Sequence, residues 1–179
     1  LLFFITLILL QSCKSVEVVK QKEFDYSQFE KITLLSNNIE IVNEYTPTYD
    51  KPFIDHTLEI TPIDRLSEWI NNNIKGLGVE NKVIIIINDS SISVSQIDNN
   101  EKVMGIVKKQ NEIKYQLKYN VMYILYDDSD TIIGKTNVKI ERSTTSGTQI
   151  SLKEKDIILN NLIYYSLEDF VMKSEESIN

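Results

Sequence analysis

Apolar positions recur in three rhythms along this chain: an unbroken run, period-two stretches and stretches of 3–4 spacing. In the segment Ile32–Tyr45, Ile39, Ile41 and Asn43 alternate with Glu40, Val42 and Glu44. That period predicts a half-buried strand. Thr46-Pro47 and Lys51-Pro52 then mark an extended crossover, because proline and the residue before it avoid the helix. The crossover runs to Ile60 and carries Tyr45, Tyr49, Phe53 and His56. Thr61-Pro62-Ile63-Asp64 reads as a helix start, with Thr61 at the N-cap, Pro62 at the first helical position and Asp64 at the positive end. Ile63, Leu66, Trp69, Ile70, Ile74 and Leu77 share one face, and Gly76 or Gly78 is the expected stop.

The run Lys82–Asn88 reads as a strand buried on both faces or paired centrally, and Asp89-Ser90-Ser91 as its bend or bulge. Asp98–Asn111 is expected to be the loop region of a long hairpin. Within it, Val103-Met104-Gly105-Ile106-Val107 is either a short strand packed on its own hairpin or an exposed apolar tip. As a tip, Val103, Met104, Ile106 and Val107 would be partner or membrane contacts. Glu112–Tyr126 is the clearest strand, with Ile113, Tyr115, Leu117, Tyr119, Val121, Tyr123 and Leu125 on one face. Asp127-Asp128-Ser129-Asp130 reads as a hairpin turn, Thr131–Arg142 as the returning strand and Ser143–Ile150 as a loop. Ser151-Leu152-Lys153-Glu154 is a capping box that opens the last helix, whose character fades over Lys173–Asn179.

The order is strand, helix, three strands, helix. Three hairpin-linked strands make an antiparallel meander, and the first strand joins beside it across the helix. The expected fold is therefore α+β: a two-layer sandwich with a mainly antiparallel four-stranded sheet and both helices on one face.

The unbroken run changes the picture. Leu1–Leu10 is ten residues long. It is too short for a bilayer span of roughly 20 residues, and it fits a signal-peptide core of about 7–15. It ends at Leu10-Gln11-Ser12-Cys13, which resembles the lipobox of bacterial lipoproteins: an aliphatic residue, a variable one, a small one and the lipidated cysteine. The resemblance implies cleavage before Cys13, a diacylglyceryl group on its thiol and a fatty acid such as palmitate on the new amino terminus. Each buried CH₂ adds about 0.8 kcal/mol, so two or three chains anchor almost permanently. With no Met and no basic residue before the run, the sequence reads as starting inside the signal. Lys14, by analogy with enterobacterial sorting, points to the outer membrane. The expected organisation is a truncated signal over 1–12, a lipidated tether over 13–30, one α+β domain over 31–176 and a disordered tail over 177–179. The aromatics of the tether, Phe24, Tyr26 and Phe29, are candidates to pack on the domain edge.

Charge and composition narrow the partners. The 19 Lys+Arg stand against 26 Asp+Glu, a net charge of −7, which argues against nucleic acid. One cysteine allows no internal disulfide. Chemistry is scarce. His56 is the sole histidine, no Gly-x-Ser-x-Gly elbow accompanies it, and it reads as a surface or loop-packing residue. A zinc site of the usual type lacks ligands. Asp127–Asp130 lacks the twelve-residue calcium pattern and reads first as a solvated turn, with weak Ca²⁺ binding left open. Nothing selects a carboxylate pair for glycoside hydrolysis. Tyr115, Tyr119 and Tyr123 read as core under the helices before they read as a stacking platform. The chain is expected to be non-enzymatic, with no cofactor and no metal.

The series Ile39–Pro47, with Trp69, Asp89-Ser90-Ser91-Ile92 and Ser151–Lys155, resembles a group of small alphaproteobacterial lipoproteins without an assigned activity. The element order also looks like the lipoprotein that plugs the outer-membrane lipopolysaccharide translocon and like auxiliary lipoproteins of ABC-type lipid transporters. That resemblance implies a membrane-anchored, periplasm-facing accessory with a protein partner. A small-ligand or lipid-binding module is the alternative, and an envelope hydrolase is the third reading.

Overall fold

The computed structural model describes residues 20–103 and 106–178, and the side chains of all of these except 99–110. The chain forms β1 (Ile32–Leu34), β2 (Asn38–Asn43), α1 (Pro62–Asn73), β3 (Ile74–Gly76), β4 (Lys82–Val103), β5 (Ile106–Tyr126), β6 (Ile132–Gly147) and α2 (Leu152–Ile178). The main sheet has the order β2-β4-β5-β6. β2 runs parallel to β4, and β4-β5-β6 is an antiparallel meander. This is the expected α+β architecture, with a mixed four-stranded sheet and two helices.

Both helix starts follow from their caps. Thr61 Oγ1 accepts from the Asp64 amide at 3.3 Å, and the Asp64 carboxylate accepts from the Thr61 amide at 2.9 Å. Ser151 and Glu154 repeat this exchange at α2. The core lies between helices and sheet. Leu66, Trp69 and Ile70 of α1 and Leu159, Leu167 and Phe170 of α2 are buried against Ile85, Ile87, Leu117 and Val121. Phe170 stands edge-on to both Trp69 and Tyr119, at 5.8 and 5.7 Å between ring centres. Such pairs contribute about 0.5–1.5 kcal/mol beyond the area they bury.

Several boundaries differ from the sequence pattern. The first strand region splits at the buried Ser36: β1 leaves the main sheet and pairs in parallel with β3. Helix α1 stops at Asn73, before the glycines. The Asn73 side chain is committed to backbone carbonyls at Tyr26, Phe29 and Glu30, and the β-branched Ile74 starts the strand beside Ile32. The run in β4 is covered on one face only. Val83, Ile85 and Ile87 are buried, while Ile84 and Ile86 are half-buried on the helix-free face. The strand is nonetheless central, and its ladder shifts register between Ile87 and Asp89, where a bulge was expected.

The segment Asp98–Asn111 is not a loop. β4 and β5 stay paired from Asp98↔Asn111 to Val103↔Ile106. The last rung with β6 is Glu112↔Gly147, so the two strands continue alone as an arm of roughly 20 Å. Asp98–Lys102 and Lys108–Asn111 are polar throughout, so the sequence there carries no apolar alternation to mark a strand. Ser143–Gly147 likewise belongs to β6, because Ser and Thr opposite Glu112–Gln116 suit a wet edge strand. Helix α2 runs on through Ser177 and Ile178, where its character was expected to fade into a disordered tail. Ser174 is buried there and Ile178 packs on the core, so the last turns have a surface to rest on.

Residues 20–30 lie on the domain. Phe29 is buried, and Phe24 and Tyr26 pack against the core. The Lys22 amide donates to Asn161 Oδ1 at 2.8 Å, and Asn160 Nδ2 donates to the Lys22 carbonyl at 2.7 Å.

Candidate functional site: an apolar pole with an acidic rim

Two glycines shape one end of the sheet. A Cβ on Gly76 would sit 2.6 Å from the Ser36 carbonyl oxygen, and one on Gly78 would sit 2.5 Å from the Ser36 nitrogen. Only glycine allows the two backbones this approach. The contact brings loop 77–81 onto loop 35–37. The Leu77 amide donates to the Leu34 carbonyl at 2.9 Å, and the Asn37 amide to the Glu80 carbonyl at 2.9 Å. The third loop is the β5–β6 turn. Asp127 Oδ1 accepts from the amides of Ser129 and Thr131, both at 2.9 Å. Asp128 Oδ1 accepts from the Asn81 amide at 3.2 Å, which ties this turn to loop 77–81. Asn81 and Asp130 hold φ of 67° and 57°, the left-handed region that these two residue types tolerate best after glycine.

The three loops leave apolar side chains outside. Leu35 is 78% exposed, Leu77 73% and Val79 88%. Ile132 and Ile133, next to the turn, are also exposed. Beside them a cleft of about 530 Å³ opens between the first rung of the sheet and the end of α2. Leu34, Leu35, Val83, Leu125 and Ile178 supply its apolar wall. The volume falls in the range of small-molecule cavities, about 300–1,000 Å³. On the same loops stand the carboxylates of Glu80, Asp127, Asp128 and Asp130. None of these four makes an ion pair among the described residues.

The residues singled out from the sequence lie elsewhere or outside the description. Cys13 and Met104 lie outside the described residues. Val103, Ile106 and Val107 belong to paired strands at the end of the arm, at the other pole of the sheet. His56 is half-buried in the crossover, its Nδ1 3.1 Å from the Thr48 carbonyl and its ring against Tyr49. Among the described residues no group of three or more His, Cys, Asp or Glu is placed to hold a metal ion, the acidic turn included. Tyr115, Tyr119 and Tyr123 are core under the helices. Burial pushes the Tyr123 hydroxyl up to about 12 and Tyr119 higher still, so neither is a base near neutral pH. Tyr45 donates to Asp55 Oδ2 at 2.8 Å, and its own ionisation is pushed up by burial and by that carboxylate. This half-buried pair braces the crossover against β4, where the Ile54 amide also donates to the Ile92 carbonyl.

The exposed apolar pole escaped the sequence pattern. Leu77 counts toward the helical face by spacing, but the helix ends before it. The one available signal was Gly76-Leu77-Gly78-Val79, large apolar residues interleaved with glycine, which a core rarely needs.

No protein-family model and no characterised protein matches the chain. Among solved structures it is similar to rare lipoprotein B from Shewanella oneidensis, at 15% identity and a TM-score of 0.33, over 78% of this chain and 94% of that one. A minor lipoprotein from Acinetobacter baumannii matches at 9% identity and 0.37, over 81% and 92%. A neuraminyllactose-binding hemagglutinin homolog from Helicobacter pylori matches at 6% and 0.38, over 86% and 95%. At such scores no residue, ligand or role is carried across. No helix of the described residues is long and apolar enough to cross a membrane.

Proposed function

We propose that this chain is an accessory lipoprotein of a bacterial envelope, anchored through Cys13 and facing the periplasm, whose domain works by contact and not by catalysis. The anchor is supported by the apolar run into Leu10-Gln11-Ser12-Cys13, the sole cysteine of the chain. Lys14 favours the outer membrane. The observation that carries the contact role is the pole: Leu35, Leu77 and Val79 are held outside the core by backbone hydrogen bonds, at exposures of 73–88%. Apolar groups fixed in water without a core to fill mark an interaction surface.

Fractionation of the source cells tests the anchor. The protein is expected in membranes, with acyl chains on Cys13 in the mass of its N-terminal peptide, and Cys13→Ser releases it to the soluble fraction. An unmodified Cys13 in the mature chain overturns the anchor. Crosslinking of intact cells tests the contact role, and recovery of monomer alone, under conditions that capture known complexes, counts against it.

The cleft of about 530 Å³ favours one second reading, a module that binds a small apolar ligand. Native mass spectrometry showing a ligand that co-purifies at unit stoichiometry would support it.

A further inference from the structure

The geometry points to a specific occupant for the pole: a basic, amphipathic segment of a partner protein. One bulky apolar side chain of that segment enters the cleft at Leu34, Leu35 and Ile178. The inference deepens the contact role proposed above and does not depend on the anchor at Cys13.

Shape excludes a small ligand as the whole answer. The cleft wall includes Leu35 but not Leu77 or Val79, which stand on loop 77–81 beside it. A ligand filling the cleft leaves both in water. A polypeptide segment lying across the three loops covers them and still places one anchor in the cleft, the arrangement of an interface hot spot. The surface is also built to hold its form. Asn81 links all three loops, its amide to Asp128 and its side chain to the Leu35 carbonyl.

Charge selects the segment. Glu80, Asp127, Asp128 and Asp130 stand on the loops that carry the apolar surface. Lys82, the basic residue next to Glu80 and Asn81, is held by Glu40 at 2.7 Å. With Lys82 so paired, Lys135 on the cleft wall is one cation against these four carboxylates. The C-terminal end of α2 adds the negative end of a helix dipole beside the cleft. This field repels an anionic lipid surface and repels the same pole of a second copy, while it draws in lysine and arginine.

A photoreactive residue at Val79, in the full chain in its own cells, tests the inference. The captured peptide is expected to carry net positive charge and large apolar residues at helical or alternating spacing. An added amphipathic peptide of leucine and lysine should compete for capture, and its leucine–glutamate twin should not. Glu80→Gln combined with Asp130→Asn should reduce capture about tenfold or more, since close charges across an interface contribute strongly to association. Asparagine keeps the left-handed turn at position 130, so the loops remain folded. Any of four results overturns the inference: a neutral or acidic captured segment, a crosslink to lipid or another small molecule, a crosslink between two copies of this chain, or capture indifferent to the double variant. Fractionation reads the anchor separately, so a failure of Cys13 lipidation is distinguishable from a failure of the pole.

Discussion

The side-chain amide of Asn73 donates to the carbonyl of Phe29 at 2.9 Å, at the point where α1 ends. Asn73 is 1% exposed, and its Nδ2 is shared with the carbonyls of Tyr26 at 2.9 Å and Glu30 at 3.3 Å. One residue thus stops the helix and pins the lead-in segment to it. Replacing it by alanine leaves buried carbonyls unpaired. Asn73→Ala should lower stability by about 1–3 kcal/mol, measured by urea denaturation, and should speed proteolysis within residues 20–30. An unchanged midpoint would mean that the segment is held by its aromatics alone.

The aromatics of the core give a second expectation. Trp69 is the only tryptophan, fully buried and edge-on to Phe170. Phe170→Ala removes a ring that also meets Tyr119 and should cost about 3–5 kcal/mol. Trp69 emission reports it directly: blue-shifted in the native wild type, and moving toward the red at lower denaturant in the variant.

Helices and caps were readable because each rests on local chemistry. Thr61 with Asp64 and Ser151 with Glu154 announce themselves within four residues. The tyrosine stripe of β5 shows its period over many. β1 and β3 were not readable, since three-residue strands carry no period and their pairing depends on Gly76 and Gly78 meeting Ser36. The arm of β4 and β5 reads as a loop from the sequence because Asp98–Lys102 and Lys108–Asn111 are polar and carry no period. The pole joins three loops distant in sequence, so no window of the chain contains it.

The two kinds of glycine separate cleanly. At Gly78 an added methyl meets backbone at 2.5 Å, and at Gly134 it meets only Leu125 side-chain carbons at 3.5 Å and beyond. Gly78→Ala should therefore destabilise the protein by about 1–3 kcal/mol and weaken capture at the pole. Gly134→Ala should leave the melting temperature within about 2 °C, as most substitutions without a clash do. Thermal denaturation of the pair decides whether close approach at Ser36 governs the loop.

Alkaline pH should expose the buried hydroxyls. Burial, with the Glu68 hydrogen bond, raises Tyr26 to about 12, and burial raises Tyr123 to about 12. The unfolded chain releases these protons near the ordinary tyrosine value of about 10. Between these values the native state holds more protons than the unfolded one, so stability falls as pH rises. Their contribution is complete below about pH 10 and gone above about pH 12. Denaturation at stepped pH, with tyrosinate absorbance recorded alongside, should show midpoint and ionisation moving together. A flat midpoint through that window would contradict the assignment.

The docking of Lys22 on Asn160 and Asn161 sets a leash length. Eight residues lie between Cys13 and Lys22, and a fully extended chain reaches at most about 3.6 Å per residue, roughly 30 Å in all. With lipid on Cys13, as proposed, the domain is confined to a shell no deeper than its own size. A protein so confined samples partners embedded in, or lying on, the same membrane at high local concentration. It would reach little across the rest of the compartment.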